Sequence, residues 1–230
     1  MTQPITDRLK ANRPRICEVK RCARPAHRFG GRCLTHDTNM RDRGHETANQ
    51  ITARDLKPWT HEAQGFVDAQ ASRNQPGVTA ALRWLHSEMA SAIDPGLLNR
   101  WATRDQRYQA WLAKASRDQV EPARLLATAI AVHLHRRYCP DRYPTDRFFA
   151  HQLGRHVVRC NGRQRARSGN ASTVTSRAPS GLILKVAERY STVLGALLIR
   201  ASEHVADAIE RAAQPPIAHE DLHAPFEQRP

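Results

Sequence analysis

Apolar side chains recur at spacings of three and four along most of this chain, the mark of amphipathic helices rather than strands. Val78, Leu82, Leu85, Met89 and Ile93 form one stripe, and Asp94-Pro95-Gly96 is a stop signal behind it. A second runs through Leu97, Leu98 and Trp101 and, past a polar break, through Tyr108, Trp111 and Leu112. Pro122 suits the first turn of a helix whose core side is Leu125, Leu126, Ile130 and Leu134. Thr145-Asp146 reads as an N-cap leading into a helix from Arg147 to Cys160. The longest pattern comes last. Ser180 can cap a helix carrying Ile183, Ala187, Tyr190, Leu194, Leu197, Ala201, Val205 and Ala208 on one side, ended by Gln214-Pro215-Pro216. Leu182, Val186, Val193 and Leu198 widen that face, which fits a central core helix or a surface docking a second copy or a partner.

The expected fold is mainly α. A small N-terminal module at 16–46, which holds three of the cysteines, follows a flexible N-terminus at 1–15. A linker at 47–60 then leads to a helical bundle domain at 61–213, and a disordered tail fills 214–230. The longest apolar run, around Leu197, is about seven residues, far short of the ~20 a spanning helix needs. Met1 to Lys10 carries no apolar stretch, so no secretory signal and no membrane partner are expected, and the expected compartment is the cytoplasm.

Charge sharpens this picture. The 230 residues carry a formal net charge of +14, which points to polyanion partners, chiefly nucleic acid. It is segregated: net +7 over residues 1–60, +1 over 61–135, +8 over 136–180 and −2 over 181–230. The second basic block contributes Arg155, Arg159, Arg163, Arg165, Arg167 and Arg177, the last four in a Gly/Ser/Thr/Asn-rich loop at about 160–180. No lysine lies between 136 and 180, and guanidiniums hold phosphate oxygens bidentately, so this loop is expected to grip a nucleic-acid backbone.

Candidate chemistry sits in the cysteines. Five is an odd count, and three fall within residues 17–33, which argues for metal ligands rather than a disulfide framework. Cys17, Cys22, Cys33 and His36 follow the spacing C-x4-C-x10-C-x2-H, two chelating pairs joined by a loop, as a tetrahedral Zn²⁺ site requires. His27 and His45 are rival fourth ligands, with His36 better spaced. Cys139 and Cys160, with His133, His135, His151 and His156 nearby, read as ordinary buried thiols more than as a second site. His151-Gln-Leu-Gly-Arg155-His156 with Tyr190 downstream imitates the H-x-x-R box of tyrosine recombinases, but Gly154 holds the arginine position. No paired carboxylate–histidine cluster of a nuclease is evident, so no catalytic residue and no enzymatic activity are expected.

Cys17, Cys22, Arg24, Pro25, Gly31, Cys33, His36, Arg41 and Gly44 together resemble the small zinc finger of phage and mobile-element proteins, often found beside HNH endonuclease domains. The resemblance covers residues 17–44 and implies a zinc-stabilised nucleic-acid contact module. Arg24, Arg28, Arg41 and Arg43 are the residues it offers for that contact. Asp37 and Asn39 stand where the family has an aromatic and an arginine. The expected function is therefore nucleic-acid binding, to DNA or RNA, without catalysis. The expected setting is an accessory subunit of a mobile-element, phage or CRISPR-type nucleoprotein complex, with a protein partner or a second copy on the 181–210 helix. The alternatives are a dimeric transcriptional repressor and a nuclease or recombinase with an unfamiliar site.

Overall fold

The computed structural model describes residues 15–27, 30–47, 49–94, 98, 101–161, 165–166, 174–175 and 180–213. Seven α-helices occur among them: α1 (Leu34–Arg43), α2 (Ala53–Ser72), α3 (Pro76–Ala90), α4 (Arg104–Arg117), α5 (Pro122–Tyr138), α6 (Asp146–Arg159) and α7 (Ser180–Ala213). A short 3₁₀ turn, Pro140–Arg142, joins α5 to α6. None of these helices is long and apolar enough to cross a membrane.

Local chemistry explains most boundaries. Thr145 caps α6 by accepting the Phe148 amide at 3.1 Å, and Pro122 occupies the first turn of α5. Thr103 and Gln106 form a capping box on α4, as Thr52 and Asp55 do on α2. The last helix begins at Ser180 itself, so its cap position falls on residue 179, outside the described residues. Pro95, Gly96 and Leu97 lie outside them too, as do 1–14 and 214–230, where the flexible N-terminus and disordered tail were expected.

Helix α5 is the centre of the bundle. Every residue from Leu125 to Val132 is buried, the pattern of a helix apolar all round rather than on one stripe. Helices α2, α3, α6 and α7 all pack against it. Tyr190 and Leu198 of α7 point into this core, whereas Val193 and Ile199 on its other side are 44% and 51% exposed. The final helix is thus a long amphipathic strap rather than the central helix.

The structure corrects three expectations. Residues 53–60, expected as linker, are the first turns of α2, and Ile51 just before them is fully buried. The helical domain therefore starts before residue 61. Helix α2 buries Leu56, Ala63 and Val67, and Pro58 forgoes one i→i−4 bond inside it. Ile93, Leu98 and Trp101 belong to no helix and are 75%, 38% and 76% exposed, because α3 stops at Ala90 and α4 starts at Arg104. The expected loop at 160–180 contains a two-residue antiparallel pair, Arg165 opposite Thr175 and Ala166 opposite Val174.

Candidate metal centre

A tight knuckle brings the first two cysteines together. The Cys17 amide donates to the Arg24 carbonyl at 2.9 Å, the Cys22 amide to the Val19 carbonyl at 2.9 Å, and the Ala26 amide to the Arg15 carbonyl at 2.6 Å. Arg21 turns the chain with a left-handed φ of 65°, a conformation that costs a non-glycine residue about 1 kcal/mol. The loop then folds back: Glu18 donates to Gly31 at 2.8 Å and His27 to Arg32 at 2.7 Å, which sets Cys33 beside the knuckle. Cys33 is the N-cap of α1, so His36 in its first turn faces the same point.

Four side chains converge there. One donor atom from each of Cys17, Cys22, Cys33 and His36 lies within 4.8 Å of all the others, close enough to bind a metal ion. His36 Nδ1 is 3.2 Å from Cys17 Sγ and 3.5 Å from Cys33 Sγ, and the Cys22 and Cys33 sulfurs are 3.9 Å apart. Cys17, Val19 and Cys33 form a small apolar cluster separate from the main core. The amide of His36 beside its sulfur pulls the Cys33 thiol below its ordinary value. The Arg24 amide pulls Cys22 down, but burial and the neighbouring Cys17 and Cys33 thiols outweigh it and push that thiol up. Three thiols around one point resist joint ionisation, and a divalent cation relieves that repulsion. Of the rival ligands, His27 is engaged through its backbone with Arg32, and His45 Nδ1 accepts the Thr47 amide at 3.3 Å.

The metal module is seated on the bundle. Gly44 ends α1 with a φ of 71°, its amide donating to the Met40 carbonyl, and a Cβ there would come within 2.8 Å of Arg147 Cβ. Arg147 of α6 donates to the Arg41 carbonyl, holding the end of α1 on the bundle. Arg32 pairs with Glu46 at 2.8 Å and Asn39 donates to the Glu46 carbonyl at 3.0 Å, tying the segment after α1 back onto the module.

The sequence-derived cations divide sharply. In the finger, Arg24 is exposed and donates to Thr35 Oγ1 at 2.9 Å. The Arg41 side chain is 68% exposed and touches Asp42, Arg43 is half-buried, and Arg28 lies outside the described residues. Lys20 and Arg21, at the knuckle tip, are exposed as well, and sequence reasoning passed over them. Their place between the first two cysteines, where a chelating turn must project outward, was the signal that could have found them.

In the second basic block one described side chain, Arg155, turns inward, while Arg137, Arg142, Arg147 and Arg159 are exposed. Arg155, expected to face a ligand, is only 7% exposed; it donates to the Ile51 carbonyl at 2.8 Å and to Gln152 Oε1 at 3.2 Å. His156 Nε2 meets the same carbonyl at 3.1 Å. Arg136 pairs with Asp146 and Arg142 with Asp55, at 2.6 and 3.6 Å. Arg159 is exposed. Arg165 is described through its backbone pairing alone, and Arg163, Arg167 and Arg177 lie outside the described residues.

The recombinase-like pattern has no matching geometry. Gly154 sits where α6 crosses α7, and a Cβ there would overlap the Ile183 carbonyl, so that position projects no side chain. Tyr190 is fully buried. Cys160 Sγ lies 3.0 Å from Thr128 Oγ1 with burial raising its pKa, and Cys139 follows the last turn of α5. Among the described residues, the Cys17–Cys22–Cys33–His36 group is the one cluster of its kind. No family model matches this chain, and no curated protein or solved structure matches it either.

Proposed function

We propose that this is a zinc-containing nucleic-acid-binding protein that acts without catalysis, as an accessory component of a nucleoprotein complex. The observation that carries the reading is the four-ligand cage beneath a knuckle and helix whose exposed surface bears Arg15, Lys20, Arg21, Arg24 and Arg41. Zinc fits the donor set. Bond lengths of about 2.3 Å to sulfur and 2.0–2.1 Å to nitrogen imply tetrahedral edges of about 3.8 Å between sulfurs and about 3.5 Å between sulfur and nitrogen. The edges here are 3.9 Å for Cys22–Cys33 and 3.5 and 3.2 Å from His36 to Cys33 and Cys17. Four protein ligands close the coordination sphere, so the metal supplies folding energy rather than an open catalytic position.

With the ligand loops fixed, the surrounding cations meet a phosphate backbone at low ordering cost. The arginine-rich stretch 160–180 joins this proposal on its sequence alone. The test is metal content together with fluorescence anisotropy against duplex DNA and single-stranded RNA over a salt series. One zinc per chain is expected, with a log–log salt slope that flattens by about one contact for each of Lys20→Ala, Arg21→Ala and Arg41→Ala. A triple variant that binds as tightly as the parent at equal salt overturns the assignment of this surface.

A further inference from the structure

Helix α1 is ten residues long and buries none of them. A helix that short does not hold itself, and this one has no apolar face in a core to hold it. It is fixed at its ends instead. Cys33, its N-cap, and His36 in its first turn belong to the metal cage, and Arg147 meets its other end at Arg41 and Gly44. The side opposite His36 faces solvent. Leu34, Asp37, Thr38 and Arg41, at i, i+3, i+4 and i+7, form one stripe on it. Leu34 is 61% exposed, Asp37 and Arg41 are exposed and Thr38 is half-buried.

The order of chemistry along this stripe is specific. Cations stand at both ends: Arg24, donating to Thr35 Oγ1 at 2.9 Å, at the start, and Arg41 at the finish. Between them lie an apolar side chain, a carboxylate and a hydroxyl. Asp37 makes no ion pair among the described residues, and Arg32, which lies within its electrostatic reach, is paired with Glu46 at 2.8 Å. A surface that only gripped phosphates would gain nothing from a bare leucine and would be opposed by a carboxylate. Base edges use both, since the thymine methyl packs on apolar side chains and the cytosine amine donates to a carboxylate. From Thr35 to Arg41 is about 9 Å along the helix axis, close to the width of about 12 Å of a major groove between its phosphate walls.

We propose that α1 crosses the major groove of duplex DNA and reads base edges with Leu34, Asp37 and Thr38, while Arg24 and Arg41 meet the phosphates on either side. The proposal rests on the nucleic-acid reading above and adds to it a form of ligand and a sequence preference. Asp37 selects a cytosine and Leu34 a thymine. A helix about 10–12 Å wide covers about three base pairs at 3.4 Å each. Duplex RNA does not fit this face, because its major groove is too deep and narrow for side chains to read.

Enrichment of randomised DNA duplexes on the full chain, followed by anisotropy on the selected sequence, tests this. A preferred core of about three base pairs that includes a cytosine and a thymine is expected. Asp37→Ala is expected to lose the cytosine preference, worth about 5- to 150-fold in affinity, while keeping the parent's salt slope. Replacing the selected thymine by uracil, which removes only the methyl, is expected to weaken the parent about fourfold and Leu34→Ala not at all. Lys20→Ala is expected to flatten the salt slope and leave the preference intact. Zinc content and circular dichroism equal to the parent's confirm that each variant is folded. A preference that survives both Asp37→Ala and Leu34→Ala overturns the proposal, and so does tighter binding to duplex RNA. Duplex binding with no enriched sequence, and a slope that Lys20→Ala still flattens, overturns base reading and leaves the phosphate contact standing. A parent that binds no nucleic acid overturns both.

Discussion

Three glycines placed inside helices make one substitution diagnostic of the packing. Gly154 lies in α6 where it crosses α7; a Cβ at that position overlaps the Ile183 carbonyl oxygen and comes within 2.8 Å of its carbon and 3.2 Å of the Ala187 nitrogen. All three are backbone atoms, so no side-chain rotation relieves the overlap. Restoring an ordinary carbon–oxygen separation of about 3.3 Å moves the two helices apart by more than about 1 Å. Leu153, Val157, Val186 and Tyr190, all buried in the same core, lose contact as they part. Overpacking of this kind costs about 1–3 kcal/mol or more, and the gain in helix propensity from Gly to Ala returns about 0.5–1 kcal/mol. The clash wins, and Gly154→Ala is expected to destabilise the fold by about 1–3 kcal/mol. At Gly65 in α2 and Gly195 in α7 a Cβ meets nothing within 4 Å, so only the propensity remains. Gly65→Ala and Gly195→Ala are each expected to stabilise by about 0.5–1 kcal/mol. Urea unfolding followed by far-ultraviolet circular dichroism reads all three. A Gly154→Ala variant as stable as the parent, or three shifts of one sign, refutes the close α6–α7 crossing.

Cys33→Ser should strip the metal from the finger while most of the helical signal persists, because the bundle's core is separate; zinc retained at full stoichiometry defeats the ligand assignment. Ile51→Ala should cost about 2–5 kcal/mol, as for a fully buried residue, whereas a position in a solvated linker would shift urea stability by less than about 0.5 kcal/mol. Burial and the neighbouring Arg155 hold His156 down at about 3, with Arg159 and His135 adding to the effect, and burial with Arg136 holds His133 at about 4. Both rings stay neutral in the fold and gain protons below about pH 6.5 once unfolded, so stability is lost as pH falls from about 6.5 toward 4, by up to about 1.4 kcal/mol per unit for each. Urea midpoints that stay level from pH 6.5 to 4.5 in the parent, or fall as steeply in His156→Gln, contradict this.

Elements whose cause is local were legible in the sequence. Thr145 caps α6 through an amide three residues on, Pro122 opens α5 by its own fixed φ, and the four donors that converge, Cys17, Cys22, Cys33 and His36, sit in two short pairs. Helix α2 was missed because its buried side includes the small Ala63 and a proline interrupts its pattern, leaving little contrast for a periodicity to show. Trp101 was drawn into a helix because its spacing of seven to Tyr108 fits two helical turns, but the Thr103 cap starts α4 beyond it. The central place of α5 was hidden for the opposite reason: a helix buried on all sides has no polar face to mark it.

Charge was the least legible property, since a count of arginines does not say where each one's partner lies. Arg155 and Arg159 are one helical turn apart, yet the first is buried on a carbonyl 104 residues earlier in the chain and the second is exposed at the helix end. Arg136, Arg142 and Arg147 likewise serve Asp146, Asp55 and the Arg41 carbonyl. Four of the ten arginines between 136 and 180 thus have a partner within the fold, which a count of charges cannot show. The finger uses its cations differently. Its ligand loops are too short to bury long side chains, and Arg15, Lys20, Arg21, Arg24 and Arg41 are left on the surface around the cage. Arg147, which bonds the end of α1 from the bundle, fixes how that surface is presented.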